Sequence, residues 1–512
     1  MRRPLATVIA AAMAIAVAGA AGCTSTAHPA GPPLPSVTQT PGLAGPPATG
    51  PGGTGPPSVG PGGTGPSATA TSTVPSPGAP TSGDSLFPAD GNGGYDVGHY
   101  AIAIAYAPTT KTLTGTDTIT ATATQALSRF DLDLHALTVR SVTVNGTPAT
   151  FGRSADKLVI TPARPVALHA SFTTVIRYTG NPKPYDDPML GFEGFIPETD
   201  GALAQGEPQV AAGWFPVNDR PTDKATYDIS ITAPTDLAAI SNGVLASKRT
   251  IGGVTTWHWV ESAPMASYLA LVAIGRYRVT MSTHNGLPVV LAVDSALPPT
   301  VDASLAKTPQ ILDFLVSQFG PYPFAAVGGV VHNEIRLNFA LENQTRPTYA
   351  PEFFSAITDP SSTIAHELTH QWFGDSVSVG DWSDIWLNEG FATYAEWLWS
   401  EHEGRDTPKQ IFDRLYNGAL PLVAPTKATA DTLFGTASYQ RGAATLEALR
   451  IAVGDTTFWK IVRGWALTYA GGNATTADFV RYADAVSGKS LDSFLHAWLD
   501  EPDKPPYPKP IG

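Results

Sequence analysis

The chain has 512 residues, 43% of them hydrophobic, which allows two or three domains and a sizeable core. A net charge of −13 leaves no basic excess to neutralise phosphates and argues against a nucleic-acid partner. The single cysteine, Cys23, excludes a disulfide framework within the chain and a thiol nucleophile in its folded part.

Arg2 and Arg3 form a positive start, Leu5 to Ala21 is an uncharged, alanine-rich apolar run, and Ala20-Ala21-Gly22 places small residues before Cys23. Residues 1–22 read as a secretory signal rather than a spanning helix. They resemble a bacterial lipoprotein signal, which implies lipidation at Cys23 and a membrane anchor there. Ordinary cleavage nearby, or an uncleaved anchor, is the alternative. The expected location is outside the cell, as a membrane lipoprotein or a secreted protein. Residues 23–90 are expected to be a disordered tether. No Asp, Glu, Lys or Arg occurs from Thr24 to Gly83, and the unit Gly50-Pro51-Gly52-Gly53-Thr54-Gly55-Pro56 recurs from Gly60 to Pro66. Such a coil spans about 40–45 Å on average.

From 91 to 281 the pattern has period two, as in Tyr100-Ala101-Ile102-Ala103-Ile104-Ala105-Tyr106 and Phe172-Thr173-Thr174-Val175-Ile176-Arg177-Tyr178. Asn145-Gly146 marks a hairpin. Many short strands with turn residues between them predict an antiparallel β-sandwich or saddle. Within this region lie Gln205-Gly206-Glu207-Pro208 and then Phe215-Pro216-Val217-Asn218-Asp219-Arg220-Pro221. By themselves, Gln205 and Glu207 are polar residues on a surface loop. From 282 to 512 the pattern turns mainly helical with strand inserts, among them Phe339-Ala340-Leu341-Glu342-Asn343.

The most informative stretch is His366-Glu367-Leu368-Thr369-His370, followed later by Asn388-Glu389-Gly390-Phe391. Residues four apart share a helix face, so His366 and His370 can offer ring nitrogens to one ion. Glu367 sits beside that face, where it can reach a water on the ion without being a ligand. Two imidazoles and a carboxylate from Glu389, with a position left open, suit one Zn²⁺ per chain. Such a donor set also takes other divalent metals in place of zinc. The bland alternative is a helix with two surface histidines. Trp372, Phe373, Trp382, Trp386 and Phe391 crowd the stretch and favour a buried, metal-binding face.

These residues resemble the gluzincin zinc aminopeptidases of the aminopeptidase N and leukotriene-A-hydrolase type, which carry H-E-x-x-H, eighteen residues, then a ligand glutamate. The spacing from His370 to Glu389 agrees. The resemblance covers about 415 residues, from Tyr95 to Pro510. It implies an α+β chain, with the N-terminal antiparallel β-sandwich or saddle followed by a thermolysin-like, mainly helical zinc-peptidase domain. Many relatives carry a further C-terminal helical domain, and the resemblance implies a bacterial secreted form without it. Gln205 and Glu207 match the family's Q-x-E-P loop, which reaches into the active site. Ala340, Glu342 and Asn343 match the G-A-M-E-N edge strand that pairs with substrate, with Phe339 standing at the first glycine. Tyr439 in Tyr439-Gln440-Arg441-Gly442-Ala443 matches the oxyanion tyrosine of Y-x-K-G-A, with arginine for lysine. The resemblance thus implies cleavage of peptides with a free N-terminus, Glu367 serving as general base. A zinc endopeptidase or other zinc hydrolase, and an inactive surface binding lipoprotein, are the competing expectations.

Overall fold

Alternation builds the first half. Along the strand Tyr95–Ala107, Tyr100, Ile102, Ile104 and Tyr106 are buried and the residues between them are exposed or half-covered, the pattern of a sheet with one dry face. The computed structural model describes residues 74–187, 190–198, 200–333, 338–355 and 359–511. The signal, Cys23 and the tether up to residue 73 lie outside them.

Tyr95–Ala107 is central in an eight-stranded sheet ordered Val244–Ile251, Val254–Met265, Ala225–Pro234, Tyr95–Ala107, Thr112–Ala123, Ser171–Gly180, Thr138–Val144, Thr147–Pro148. Its pairings are antiparallel, as expected, except that Ala225–Pro234 runs parallel to Tyr95–Ala107. Parallel neighbours need a long crossover, and here the crossover holds much of two further sheets. One of these comprises Tyr185–Asp187, β1 (Gly191–Pro197), β2 (Ala202–Gln205), Val272–Gly275 and Ala238–Ile240. β2 is buried throughout, which fixes the point where the Gly206–Pro208 turn leaves it.

Residues 74–90, which composition assigns to the tether, pack on the fold instead. Ser76–Pro77 pairs with Leu127–Asp133. The Asp84 carboxylate accepts from the backbone of Leu86 and Phe87 at 2.9 Å and of Trp382 at 3.0 Å. Most of these contacts use backbone and one carboxylate, so a polar, proline-rich composition conceals them.

The second half opens on another sheet. β3 (Ala340–Leu341) is its edge, followed by β4 (Thr348–Tyr349), Val327–Val331, Leu287–Asp294 and Tyr277–His284. Tyr277–His284 straddles the expected boundary at 281/282, so the change of layer falls before Tyr277. Strand follows strand across that point, and the sequence period does not change there.

The helices follow. Asp359 starts α1 (Pro360–Thr369) by accepting from Ser361 N at 3.1 Å, with proline at the first position. α2 (Trp386–His402) and α3 (Gly442–Val453) meet at a glycine pair. A Cβ on Gly390 would lie 2.9 Å from the Gly442 carbonyl carbon, and a Cβ on Gly442 2.9 Å from Gly390 Cα. That approach brings Glu389 beside the turn leading into α3.

Two cations, the buried Arg346 and the half-buried Lys224, join the halves. Arg346 donates to Gly243 O at 2.7 Å in the first half and Val327 O at 2.8 Å in the second. Lys224 donates to Asp375 O at 2.7 Å and Ser376 O at 3.0 Å. The loop after α1 is therefore held from the β domain.

Candidate active site

His366 and His370 lie one turn apart on α1, their ring centroids 4.9 Å from each other. Glu389 in the first turn of α2 faces both. Its Oε2 is 3.2 Å from His366 Nε2 and 3.6 Å from His370 Nε2. All three side chains are buried. The other ring nitrogens are engaged outward, His366 Nδ1 with Glu396 Oε1 at 2.7 Å and His370 Nδ1 with the Phe373 carbonyl at 3.1 Å. Anchoring each Nδ1 aims each Nε2 at one point. Three converging donors of types N, N and O, buried and oriented from behind, fit Zn²⁺.

Burial would lower His366, but the carboxylates of Glu389 and Glu396 outweigh it and raise the ring well above its ordinary value, so a metal ion bound there displaces a proton. Burial pushes His370 down to about 4, which keeps the imidazole neutral, the form a ligand needs. Burial alone would raise Glu389, but His370, His366 and the Tyr439 hydroxyl outweigh it and hold the carboxyl below its ordinary value. Glu389→Gln is expected to weaken zinc binding at least about tenfold, because an amide oxygen is a poorer ligand than a carboxylate. Metal content after dialysis against a chelator checks this. A full equivalent retained would remove Glu389 from the ligand set.

Glu367 is buried beside the triad, and one of its oxygens converges with donors of Glu342 and His370 within 4.8 Å. Burial raises its carboxyl well above the usual range, the neighbouring Glu342 and Glu389 carboxylates adding to it and His366 opposing. Tyr439 lies in a π-helical turn, Ala437–Arg441, leading into α3. Its ring stacks on His366 at 6.0 Å, and its hydroxyl is near enough to Glu389 to help hold that carboxyl down. Arg441 holds this turn by donating to the carbonyls of Trp498 at 2.8 Å and Leu422 at 3.0 Å. The guanidinium fork can reach carbonyls of two separate segments at once.

The β domain contributes the other wall. Gly206, between Gln205 and Glu207, has φ 141°, and a Cβ there would come within 2.6 Å of Val210 and 2.8 Å of Glu193. Only glycine fits this turn. Gln205 Oε1 accepts from the Thr348 hydroxyl, whereas Gln205 Nε2 and Glu207 Oε1 are buried without a partner. Burial, then the carboxylates of Glu342 and Glu389, raise Glu207 well above its ordinary value. Glu342 follows the edge strand β3 and is pushed up to about 8 by burial and Glu389. Its Oε1 accepts from Tyr268 Oη at 3.3 Å.

Ala340 is half-buried on the free edge of β3. Asn343 faces inward, donating to Leu269 O at 3.2 Å and accepting from Thr348 Oγ1 at 3.0 Å. Its side chain braces the strand end. Phe339 is half-buried against the core and its carbonyl accepts from Ala350 N at 3.3 Å.

Sequence reasoning missed Glu396 and Tyr268. Glu396 lies two helical turns beyond Glu389 on the same face of α2, so helix periodicity could have found it. Tyr268 has no local signal, since it reaches Glu342 from the other domain.

Comparison with known proteins agrees with this arrangement. Residues 97–269 match the peptidase M1 N-terminal domain and residues 304–498 the peptidase family M1 domain. Aminopeptidase M1 of Arabidopsis thaliana is 28% identical over 348 residues, 62% of this chain and 40% of that protein. Glutamyl aminopeptidase of Rattus norvegicus is 27% identical over 347 residues, 61% of this chain and 36% of that protein. The chain thus spans well under half the length of these curated relatives. An M1 zinc metallopeptidase from Deinococcus radiodurans superposes with a TM-score of 0.78 at 29% identity, over 84% of this chain and 99% of that one. A mutant of that enzyme bound to a Tyr-Ser-Ala substrate gives 0.77 at 29% identity, over 84% of this chain and 100% of that one. With both domain models matched in order and a solved structure matched along nearly its whole length, this chain belongs to peptidase family M1.

Proposed function

We propose that the chain is a zinc aminopeptidase, holding one zinc through His366, His370 and Glu389 and removing residues from the N-terminus of peptides. The observation that carries this reading is the group Gln205, Glu207 and Glu342, buried beside the metal-binding triad with polar atoms of Gln205 and Glu207 left unpartnered. An endopeptidase has no use for two buried carboxylates at that position. An α-ammonium supplies the positive charge that lets both ionise, and each charge-assisted hydrogen bond to it is worth about 1.5–3 kcal/mol. The relatives named aminopeptidase, and the M1 metallopeptidase bound to a tripeptide, support the same reading.

Zinc, when bound, supplies Lewis acidity at the reacting centre. Glu367 takes the proton from the attacking water and passes it to the departing amine. The Tyr439 hydroxyl donates to the oxygen that gains charge. The free edge of β3 at Ala340 offers backbone groups to an extended peptide, and the Glu207–Glu342 pair sets its amino end a fixed distance from the triad.

Mass spectra of a long unblocked peptide, taken over time with the zinc-loaded protein, test the reading. Successive losses of single N-terminal residues are expected. Internal cuts would favour the endopeptidase.

We also propose the lipoprotein anchor at Cys23, supported by Arg2, Arg3, the apolar run and the small residues before the cysteine. No helix among the described residues is long and apolar enough to cross a membrane. Cys23→Ser is expected to shift the protein from membrane to medium on cell fractionation. Equal retention of the variant would point to an uncleaved signal or another attachment.

A further inference from the structure

A second acidic site lies on the other side of the loop that carries Glu207. A cavity of about 350 Å³ is lined by Asp90, Asp133, Asp156, Asp186, Glu193 and Asp219 among others, with Pro208, Gln209 and Val210 forming the wall toward the loop. No lysine, arginine or histidine lines it. Lys157 approaches from one side, pairing with Asp133 and donating to Gly91 O at 2.8 Å, and His135 meets Asp156 at 3.0 Å. The negative charge of the lining still exceeds these partners.

Glu193 makes this more than a cluster of acids. It is 2% exposed, and its Oε1 has no hydrogen-bond partner. It stands directly across from Tyr185 in the antiparallel pair of Tyr185–Asp187 with β1. Directly paired residues share a sheet face, and both line the cavity. A buried carboxylate oxygen without a donor costs free energy unless water or an ion meets it. Two further carboxylates of the wall, Asp133 and Asp219, are held in place. Asp133 accepts from Asn92 at 2.8 Å and from Asp219 N at 3.0 Å, and Asp219 accepts from Ser267 Oγ at 2.8 Å.

We propose that this cavity binds a hard divalent cation of the calcium type, through carboxylate oxygens and water, and that the ion steadies the loop presenting Gln205 and Glu207 to the active site. The carboxylates ring the space rather than converging. Among the described residues, the triplets that converge within 4.8 Å are both in the zinc cleft. Calcium tolerates this, since it takes six to eight oxygen ligands, waters included, in flexible geometry. The volume has room for several waters at about 30 Å³ each. Two positive charges also answer a charge excess that a single ammonium would not. Without a cation the site draws protons instead. Burial and then Asp133 push Asp90 up to about 6 and Asp219 up to about 7.

The test uses the full chain loaded with zinc. Terbium is titrated while aromatic side chains are excited, because Tyr185 lines the cavity and can sensitise a nearby ion, and calcium is then added to compete. Saturable luminescence that calcium removes is expected. Glu193→Gln and Asp90→Asn should each weaken both ions by at least about tenfold, since affinity follows the count of charged ligands. Glu342→Ala, in the cleft, should leave the affinity unchanged. Circular dichroism and zinc content establish that each variant is folded, and Asp90→Asn decides the matter if Glu193→Gln does not fold. No saturable signal, equal affinity in the cavity variants, or loss of the signal in Glu342→Ala would each overturn the proposal. The readout involves no turnover, so it can fail while the aminopeptidase reading stands.

Discussion

Glu367→Gln is expected to keep its zinc and lose about 10²–10⁴-fold in kcat, the range for removing a positioned general base. The substitution is nearly isosteric and leaves His366, His370 and Glu389 in place, with Glu396 still holding His366 Nδ1 at 2.7 Å. It also removes one carboxyl from a site where Glu342 and Glu389 already raise Glu367. Folding and metal binding therefore should not suffer. KM should move by less than about threefold, because proton transfer belongs to the transition state and not to substrate binding. Zinc content and steady-state kinetics on the same preparation check both halves. Loss of zinc along with activity would make Glu367 a ligand instead of the base.

Tyr439→Phe is expected to lower kcat by about 10²–10³-fold, the cost of one oxyanion donor. Phenylalanine preserves the ring that stacks on His366 at 6.0 Å, so the local packing stays. What goes is the hydroxyl. Burial, then Glu389 and Glu207, push its proton loss well above the ordinary tyrosine range, so it remains a donor throughout the neutral range. Its hydrogen bond strengthens only as charge develops, and KM should change little. A fall in kcat below about threefold would return Tyr439 to a packing role.

What can be read from sequence follows how local each feature is. His366 and His370 are legible because helix periodicity alone puts them on one face, and Glu389 because it opens the next long helix. The strands around Tyr95–Ala107 are legible because each buries one face. Residues 74–90 are not, since backbone pairing by Ser76 and Pro77 and one carboxylate at Asp84 leave no compositional trace. The expected boundary falls inside Tyr277–His284 because strand gives way to strand there. Tyr268 and Arg346 act across the two halves, on Glu342 and on Gly243 and Val327, and no spacing rule spans such distances. Arg441 is visible in the sequence only as arginine at a lysine position. Its hold on the carbonyls of Leu422 and Trp498, which fixes the Tyr439 turn, joins segments far apart in the chain.

The central claim is that Glu342 and Glu207 read a free amino terminus. One peptide, prepared with a free and with an acetylated N-terminus, tests it most directly when kcat/KM is measured for both in wild type and in Glu342→Ala. Acetylation removes the positive charge and adds bulk where two buried carboxyls stand. The wild type should prefer the free peptide by at least about tenfold for each ammonium–carboxylate hydrogen bond that acetylation abolishes, and Glu342→Ala should lose most of that preference. Equal cleavage of the two peptides by the wild type would contradict the account.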